Sequence, residues 1–254
     1  MEPPVSLPLF FDGRHYDSKW RHLTADLPFW LRQAQKWGDP ILELTCGTGR
    51  ISLHLAHVGF RVVGIDISDS MLLVAKNKAA QQGASIEWVK ADIRNFQLGQ
   101  TFPLIIFPFN TIAILYTLED LDACLTCVKT HLAPGGKFIV DVFNPSLEIL
   151  SREAGKRYFH AEYPDPDGLD NIVVTEAHSY DTARQINNLM LFYKLPGRGE
   201  ELVEELRIRI YFPQELDALL KYNGFTLEHK FGNYDESPFQ SASEKQLIVC
   251  SVRA

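Results

Sequence analysis

Short apolar runs recur along this chain, and each ends in a glycine-rich or acidic turn before a stretch of helical periodicity begins. One run starts at Ile41 and reaches Leu44. The next three span Arg61 to Ile67, Ile86 to Ile93 and Phe102 to Phe109. The fourth is almost wholly apolar, as a strand covered on both faces must be. Helical patterns fall at Tyr16 to Leu23, at Leu27 to Trp37, after Gly49, after the N-cap pair Ser68-Asp69, and from Leu121 to His131. A Pro134-Gly135-Gly136 turn then precedes a fifth strand, Lys137 to Phe143. Strands alternating with helices in this way predict a parallel sheet with helices on both faces.

The alternation stops after Asn144. Residues 145–170 read as irregular, with Pro164, Pro166 and Gly168 among them. Three β-like runs follow: Asn171 to Tyr180, Ile186 to Leu195 and Leu202 to Phe212. The turns Asp181-Thr182 and Pro196-Gly197-Arg198-Gly199 separate them, which predicts an antiparallel meander. On the third run Glu205, Arg207 and Arg209 share one face, expected to be solvated, while Leu206, Ile208 and Ile210 share the other. Pro213 opens a helix that runs to Tyr222 and closes at Asn223-Gly224. Phe225 to Phe231 and Gln246 to Val252 form the last two strands. Three parts are expected: a helical cap over 1–37, a core from 38–144 and 213–254, and a β insert over 145–212.

The turn after the first strand carries the strongest chemical signal. Gly47 and Gly49 permit positive φ and close approach of a ligand to the backbone. The helix that follows aims free N–H groups and its positive dipole end at the same spot. This is a nucleotide-cofactor corner. A dinucleotide site would place a third glycine where the chain has Ser52. Glu43 sits inside the strand, where a carboxylate is costly unless paired. Asp66 lies 17 residues past Gly49, where a carboxylate reaches a ribose diol, and Asp92 ends the third strand in the same way.

The run Glu43-Leu44-Thr45-Cys46-Gly47-Thr48-Gly49 resembles the first motif of class I S-adenosylmethionine (SAM)-dependent methyltransferases. Gly64-Ile65-Asp66-Ile67-Ser68-Asp69-Ser70-Met71-Leu72 resembles the second, and Leu132-Ala133-Pro134-Gly135-Gly136 matches the turn before the family's fifth strand. The resemblance implies a Rossmann-like, seven-stranded, mostly parallel sheet of the α/β class. It implies SAM as methyl donor, with Glu43 holding the turn and the cofactor's amino acid end, and Thr45, Cys46, Gly47 and Gly49 beside it. Asp66 then binds ribose, Ile67 and Met71 flank the adenine, Asp92 faces its amino group and Ile93 offers a backbone N–H. Phe107 and Asn110, at the end of the fourth strand, lie near the transferable methyl group. The meander, with Tyr16-Asp17 and Asp26-Leu27-Pro28-Phe29-Trp30, resembles a small-molecule subgroup that includes amino-sugar N,N-dimethyltransferases. That subgroup carries a three-stranded antiparallel insert, and its tyrosine, here Tyr16, closes over the cofactor. Thr45 departs from the family's usual Gly, Ala or Asp, and as a strand residue it is tolerable.

Composition narrows the partners. At 254 residues the chain holds one domain with an elaboration, and its 46% hydrophobic and 22% charged residues make it globular. A net charge of −7 without any Lys/Arg block argues against nucleic acid. The start of the chain, with Pro3, Pro4 and Pro8, lacks a signal-peptide pattern, and no apolar run reaches transmembrane length. A cytoplasmic enzyme acting on a small molecule is expected, with no membrane partner and no metal. The meander is expected to serve half as lid and half as the surface of a homodimer. Cys124 and Cys127 are a weak metal signal and read as buried thiols.

Methyl transfer is a one-step in-line displacement, so positioning supplies much of the acceleration. A general base helps when the acceptor is protonated. No signature for one exists, and the candidates are His178 and Tyr16, with His15, His22 and His160 in the lid or its loops. Tyr180, Tyr193 and Tyr211 read as packing or pocket lining. The acceptor atom is expected to be nitrogen or oxygen. A SAM-binding protein without transferase activity is the second reading, and a nicotinamide-dependent oxidoreductase is disfavoured by Ser52 and by the lack of a second substrate domain.

Overall fold

The computed structural model describes residues 12–168, 170–197 and 199–253. Pro3, Pro4 and Pro8, the cap before residue 12, and Arg198 of the second meander turn lie outside the described residues. Two helices come first, α1 (Gly13–Trp20) and α2 (Leu27–Trp37). The Asp12 carboxylate caps α1 by accepting the Arg14 and His15 N–H groups. Then follow β1 (Ile41–Leu44), α3 (Arg50–His57), β2 (Val62–Asp66), α4 (Asp69–Gln82), β3 (Glu87–Lys90) and β4 (Phe102–Phe107). A 3₁₀ turn (Thr111–Ile114), α5 (Leu118–His131) and β5 (Leu132–Phe143) complete the alternating half. The hydroxyls of Ser68 and Thr117 cap α4 and α5.

The last two strands are β10 (Phe225–Phe231) and β11 (Lys245–Val252), and the seven-stranded sheet has the order β10-β11-β5-β4-β1-β2-β3. The β1–β5 ladders are parallel, while β11 runs antiparallel to both β5 and β10. This is the Rossmann-like α/β sheet that the sequence implied. The expected turn at Pro134-Gly135-Gly136 lies inside β5 as an irregularity. Phe102 pairs with Leu132 and Leu104 with Lys137, and Gly135 takes φ +75° to absorb the extra residues.

Period-two alternation sends side chains to two cores. Leu42, Leu44, Ile105, Phe107, Phe138 and Val140 pack on α5 and on Leu216 and Leu220, while Ile41, Leu104, Ile106 and Ile139 pack on α2 and α3. The α2 side is anchored by a buried ion pair. Asp26, fully enclosed, accepts from Arg50 Nη1 at 2.5 Å, from Arg50 Nη2 at 2.8 Å and from the Trp30 indole at 3.1 Å.

The remaining elements are α6 (Leu147–Leu150), β6 (Tyr158–Pro164), β7 (Asn171–Asp181), β8 (Ile186–Lys194), β9 (Leu202–Arg209) and α7 (Pro213–Tyr222). Strands β6 to β9 form an antiparallel sheet in sequential order, so the insert has four strands where three were expected. The fourth, β6, falls in the stretch read as irregular. Its register shifts between Phe159 and Ala161, which breaks the alternation that would have revealed it, and Pro164 stands at its end. Arg209 also departs from expectation: it is buried, 3.0 Å from Glu215 of α7 and over the Tyr211 ring, so it ties the insert back to the core instead of facing water. Among the described residues no helix is long and apolar enough to cross a membrane.

Removing Asp26 would leave the Arg50 guanidinium without its buried counter-ion. Asp26→Ala should cost about 3–5 kcal/mol of stability, read as a fall in the urea midpoint at unchanged m-value.

Candidate active site

Strand β1 has β2 on one side and β4 on the other, so the direction of winding reverses between β1 and β4. Ligands of open α/β sheets bind at the carboxyl ends of the strands beside such a reversal. The residues there are Thr45 to Gly49 after β1 and Phe109-Asn110 after β4.

The turn after β1 is fixed by Asp66. The Gly47 N–H donates to its Oδ2 and the Ser68 N–H to its Oδ1, both at 2.8 Å. Burial raises the Asp66 pKa, with these backbone bonds opposing the rise. Gly47 (φ +55°) has nothing within 4 Å of the position a Cβ would take, and Gly49 (φ +80°) is the residue before α3. Thr45 is not a strand residue as expected. It follows β1 with φ +51°, a region that β-branched residues rarely adopt. Its hydroxyl lies 2.6 Å from the Leu44 carbonyl and from the Thr111 hydroxyl.

Glu43 points from β1 toward α3 and is buried, and the Ser52 hydroxyl donates to it. Burial pushes its pKa up to about 7, against the pull of Ser52 and of nearby Arg50. Ser52 is visible in the sequence as a missing glycine, yet its bond to Glu43 needs the α3 geometry. Cys46 is buried and burial lifts its thiol well above the ordinary value, opposite to the lowered pKa of an activated thiol. Met71 is buried on α4.

A cavity of ≈ 230 Å³ opens beside this turn, lined by Thr45, Ile67, Asp92, Ile93, Ile114 and Tyr116 among others. Ile67 is 61% exposed at its edge. Asp92 is ion-paired with Arg94 at 2.6 Å, which holds its carboxyl below the usual range, and Arg94 reaches Asp120 at 2.7 Å. Arg94, Tyr116 and Asp120 carry no motif and were not singled out from the sequence.

Helix α1 closes over the turn. Asp17 accepts from the Thr48 hydroxyl and pairs with Lys78 at 2.8 Å, and the Gly13 N–H donates to Ser70 Oγ at 3.1 Å. Burial pushes the Tyr16 phenol well above the ordinary value, with Arg50 opposing the rise and the acids Asp66, Asp17 and Glu43 adding to it. One helical turn on, Trp20 meets the Phe109 ring edge-on at 5.3 Å. Phe109 and Asn110 both have positive φ, and buried Phe107 closes β4 just before them. The Asn110 side chain accepts from the Phe143 N–H at 3.0 Å. Asp141 of β5, wholly buried, accepts from the Phe109 N–H at 3.0 Å, the Tyr234 hydroxyl at 2.8 Å and Lys245 at 3.2 Å. Backbone strain held by such a network is a mark of functional sites.

His178 stands apart from the turn. It lies on β7, with Nδ1 3.0 Å from the Asn187 amide and Nε2 in ion-pair range of Glu176 at 2.9 Å, too oblique for a good hydrogen bond. His15 is buried beside Tyr163 and Asp167, and His22 accepts from Arg21.

Comparison with known proteins gives this geometry a family. Residues 41–136 match the methyltransferase domain family. A demethylmenaquinone methyltransferase of Thermus thermophilus is 35% identical over 156 residues, 60% of this chain and 67% of that one. A cypemycin N-terminal methyltransferase of a Streptomyces species is 26% identical over 84% of this chain and 82% of its own. The solved structure of the CcbJ methyltransferase of Streptomyces caelestis superposes with a TM-score of 0.78 at 25% identity, over 91% of each chain. With the winding reversal, the Asp66-pinned glycine turn and these relatives in agreement, the chain belongs to the class I SAM-dependent methyltransferases.

Proposed function

We propose that this methyltransferase moves a methyl group from SAM to a nitrogen or oxygen of a small molecule. The observation that carries this reading is the ≈ 230 Å³ cavity lined by Thr45, Ile67, Asp92 and Ile93, next to the glycine turn that Asp66 pins. The missing Cβ at Gly47 and the cavity beside exposed Ile67 fit a cofactor laid along the strand ends. When bound, SAM supplies an electrophilic methyl on a sulfonium. In this reading Asp66 holds the ribose hydroxyls, and Ile67, Met71, Asp92 and Ile93 frame the adenine. Glu43, Thr45, Cys46, Gly47 and Gly49 bound the amino acid end. Tyr16 covers the cofactor from α1, while Phe107 and Asn110 border the reacting centre. By their names one relative is an N-terminal methyltransferase of cypemycin and the Thermus relative acts on demethylmenaquinone. The subgroup resemblance at Tyr16-Asp17 points to amino sugars.

The reading also places the enzyme in the cytoplasm and makes it a homodimer. Phe159, Met190 and Val203 are exposed on the outward face of the second sheet, an apolar patch of the kind that partners cover. Light scattering over a concentration series should show a dimer, and a monomer at every concentration would remove that part.

A turnover panel tests the acceptor. Demethylated cofactor should appear with an amine or hydroxyl compound among amino sugars, peptide N-termini, phenols and carboxylic acids. Turnover with a quinol carbon alone would contradict the nitrogen-or-oxygen assignment.

Glu43 gives a second test. In the free protein its carboxyl is half protonated near pH 7, and a bound ammonium stabilises the ionised form. Binding therefore releases a proton around and below pH 7, so SAM affinity falls as pH drops from 7 to 5. Calorimetry in buffers of different ionisation heat should show this release in the wild type and lose it in Glu43→Gln. Equal release in both would contradict the assignment.

A further inference from the structure

Four side chains from three elements line up on the inward face of the second sheet. Lys19 Nζ of α1 is 2.8 Å from His160 Nε2 of β6. His160 Nδ1 is 2.6 Å from Glu176 Oε2 of β7, and Glu176 Oε1 is 2.9 Å from His178 Nε2. The register explains how His160 comes to face this way. Phe159 pairs with Thr175 and Ala161 with Val174, so His160 is an extra residue opposite neither. Bulges of this kind gather beside active sites. Tyr158 stands opposite Glu176, so alternation puts His160 on the same face, and the extra residue turns Ala161, opposite Val174, to that face as well.

The protonation pattern follows from the partners. Glu176 is an acceptor on both oxygens, so His160 carries its proton on Nδ1 and offers the Nε2 lone pair to Lys19. Carboxylate, imidazole and terminal group thus stand in the order that activates a nucleophile or base, with the imidazole oriented by the carboxylate. Burial alone would raise the Glu176 carboxyl, but the contacts to His160 and His178 outweigh it and hold it below the usual value. Burial lowers Lys19 to about 8, opposed by Glu176 and by Glu204 of β9. Also on the cluster are Arg152, 3.5 Å from Glu176, Tyr158, opposite Glu176 and edge-on to His178, and Asn187 of β8 on His178. Lys19 precedes Trp20, whose ring meets Phe109 at the reacting corner, and it lies three residues past Tyr16 on the same helix face.

We infer that Lys19, His160 and Glu176 form a proton relay serving an amine acceptor, with Lys19 the group that touches the acceptor and His160 and Glu176 positioning it. The inference rests on the nitrogen arm of the proposed function. An amine is protonated at neutral pH and cannot attack until it loses a proton. That proton passes from the acceptor ammonium to Lys19 Nζ as a Lys19 proton moves to His160 Nε2, and Glu176 holds the imidazolium. The freed nitrogen lone pair then forms the new N–CH₃ bond, and the C–S bonding pair leaves with sulfur as a neutral thioether. Solvent removes the proton from His160.

Two measurements test this on the full chain. The first needs no acceptor. Nitrogen-15 NMR of the imidazoles should place the His160 proton on Nδ1, and Glu176→Gln should abolish that preference. The Lys19 side chain should titrate near pH 8 and move lower in Glu176→Gln. A proton on Nε2 of His160, or a Lys19 that titrates as an ordinary lysine, overturns the relay. The second is the pH profile of kcat/KM with two probes, a dTDP-linked 3-amino-deoxyhexose and a tripeptide with a free N-terminus. Lys19→Met should lose roughly 10²-fold at pH 7 and recover as pH rises toward the acceptor's own pKa. Lys19→Arg should not rescue, because it keeps the charge and cannot give up its proton. Turnover with a Lys19→Met profile equal to wild type overturns the relay. No turnover with either probe counts against the amine assignment, and the NMR result then decides the relay by itself.

Discussion

The bond from the Gly47 N–H to the Asp66 carboxylate is the constraint on which the site depends. It joins the turn after β1 to the end of β2, so two strand ends are held in one fixed relation. The same carboxylate takes the Ser68 N–H, and Ser68 caps α4. One buried acid therefore sets the direction of a turn, a strand end and a helix start. Its burial raises its pKa, and the backbone donors Ser68 and Gly47 oppose that rise.

On this base the upper wall is built from elements that are not part of the sheet. Helix α1 reaches the turn through Asp17 and Thr48 and reaches the β4 corner through Trp20 and Phe109. The Asp26–Arg50 pair fixes α2 beneath it, and Arg50 also lies over the Phe109 ring at 5.8 Å. The second sheet approaches from the other side through Lys19 and His160, and it is tied to the core by Arg209 on Glu215. In the proposed reading the reacting centre has the rigid strand ends below it and a separately held cover above, an arrangement that suits exclusion of water from a displacement reaction.

Much of the core was legible because its signals are local. The glycine turn at Gly47 and Gly49, the acids at Asp66 and Asp92, and the helix from Pro213 to Tyr222 each depend on residues close in sequence. What sequence missed depends on register or on distant partners. Strand β6 hid behind its bulge at His160, and the Pro134-Gly135-Gly136 turn lies within a strand irregularity. Thr45 read as strand because its type prefers strands, whereas the close of the turn forces it to positive φ. Arg209 read as solvated because its partner, Glu215, belongs to the next helix. His160 was one histidine among several until the Glu176 contact set it apart.

The central claim is that the pinned turn is the cofactor's seat, and calorimetric titration of SAM into the full chain tests it most directly. The account predicts micromolar affinity for the wild type and a loss of at least about tenfold, ~1.4 kcal/mol, for Asp66→Ala with its fold intact by circular dichroism. No SAM binding by the wild type, or equal affinity in the variant, would contradict it.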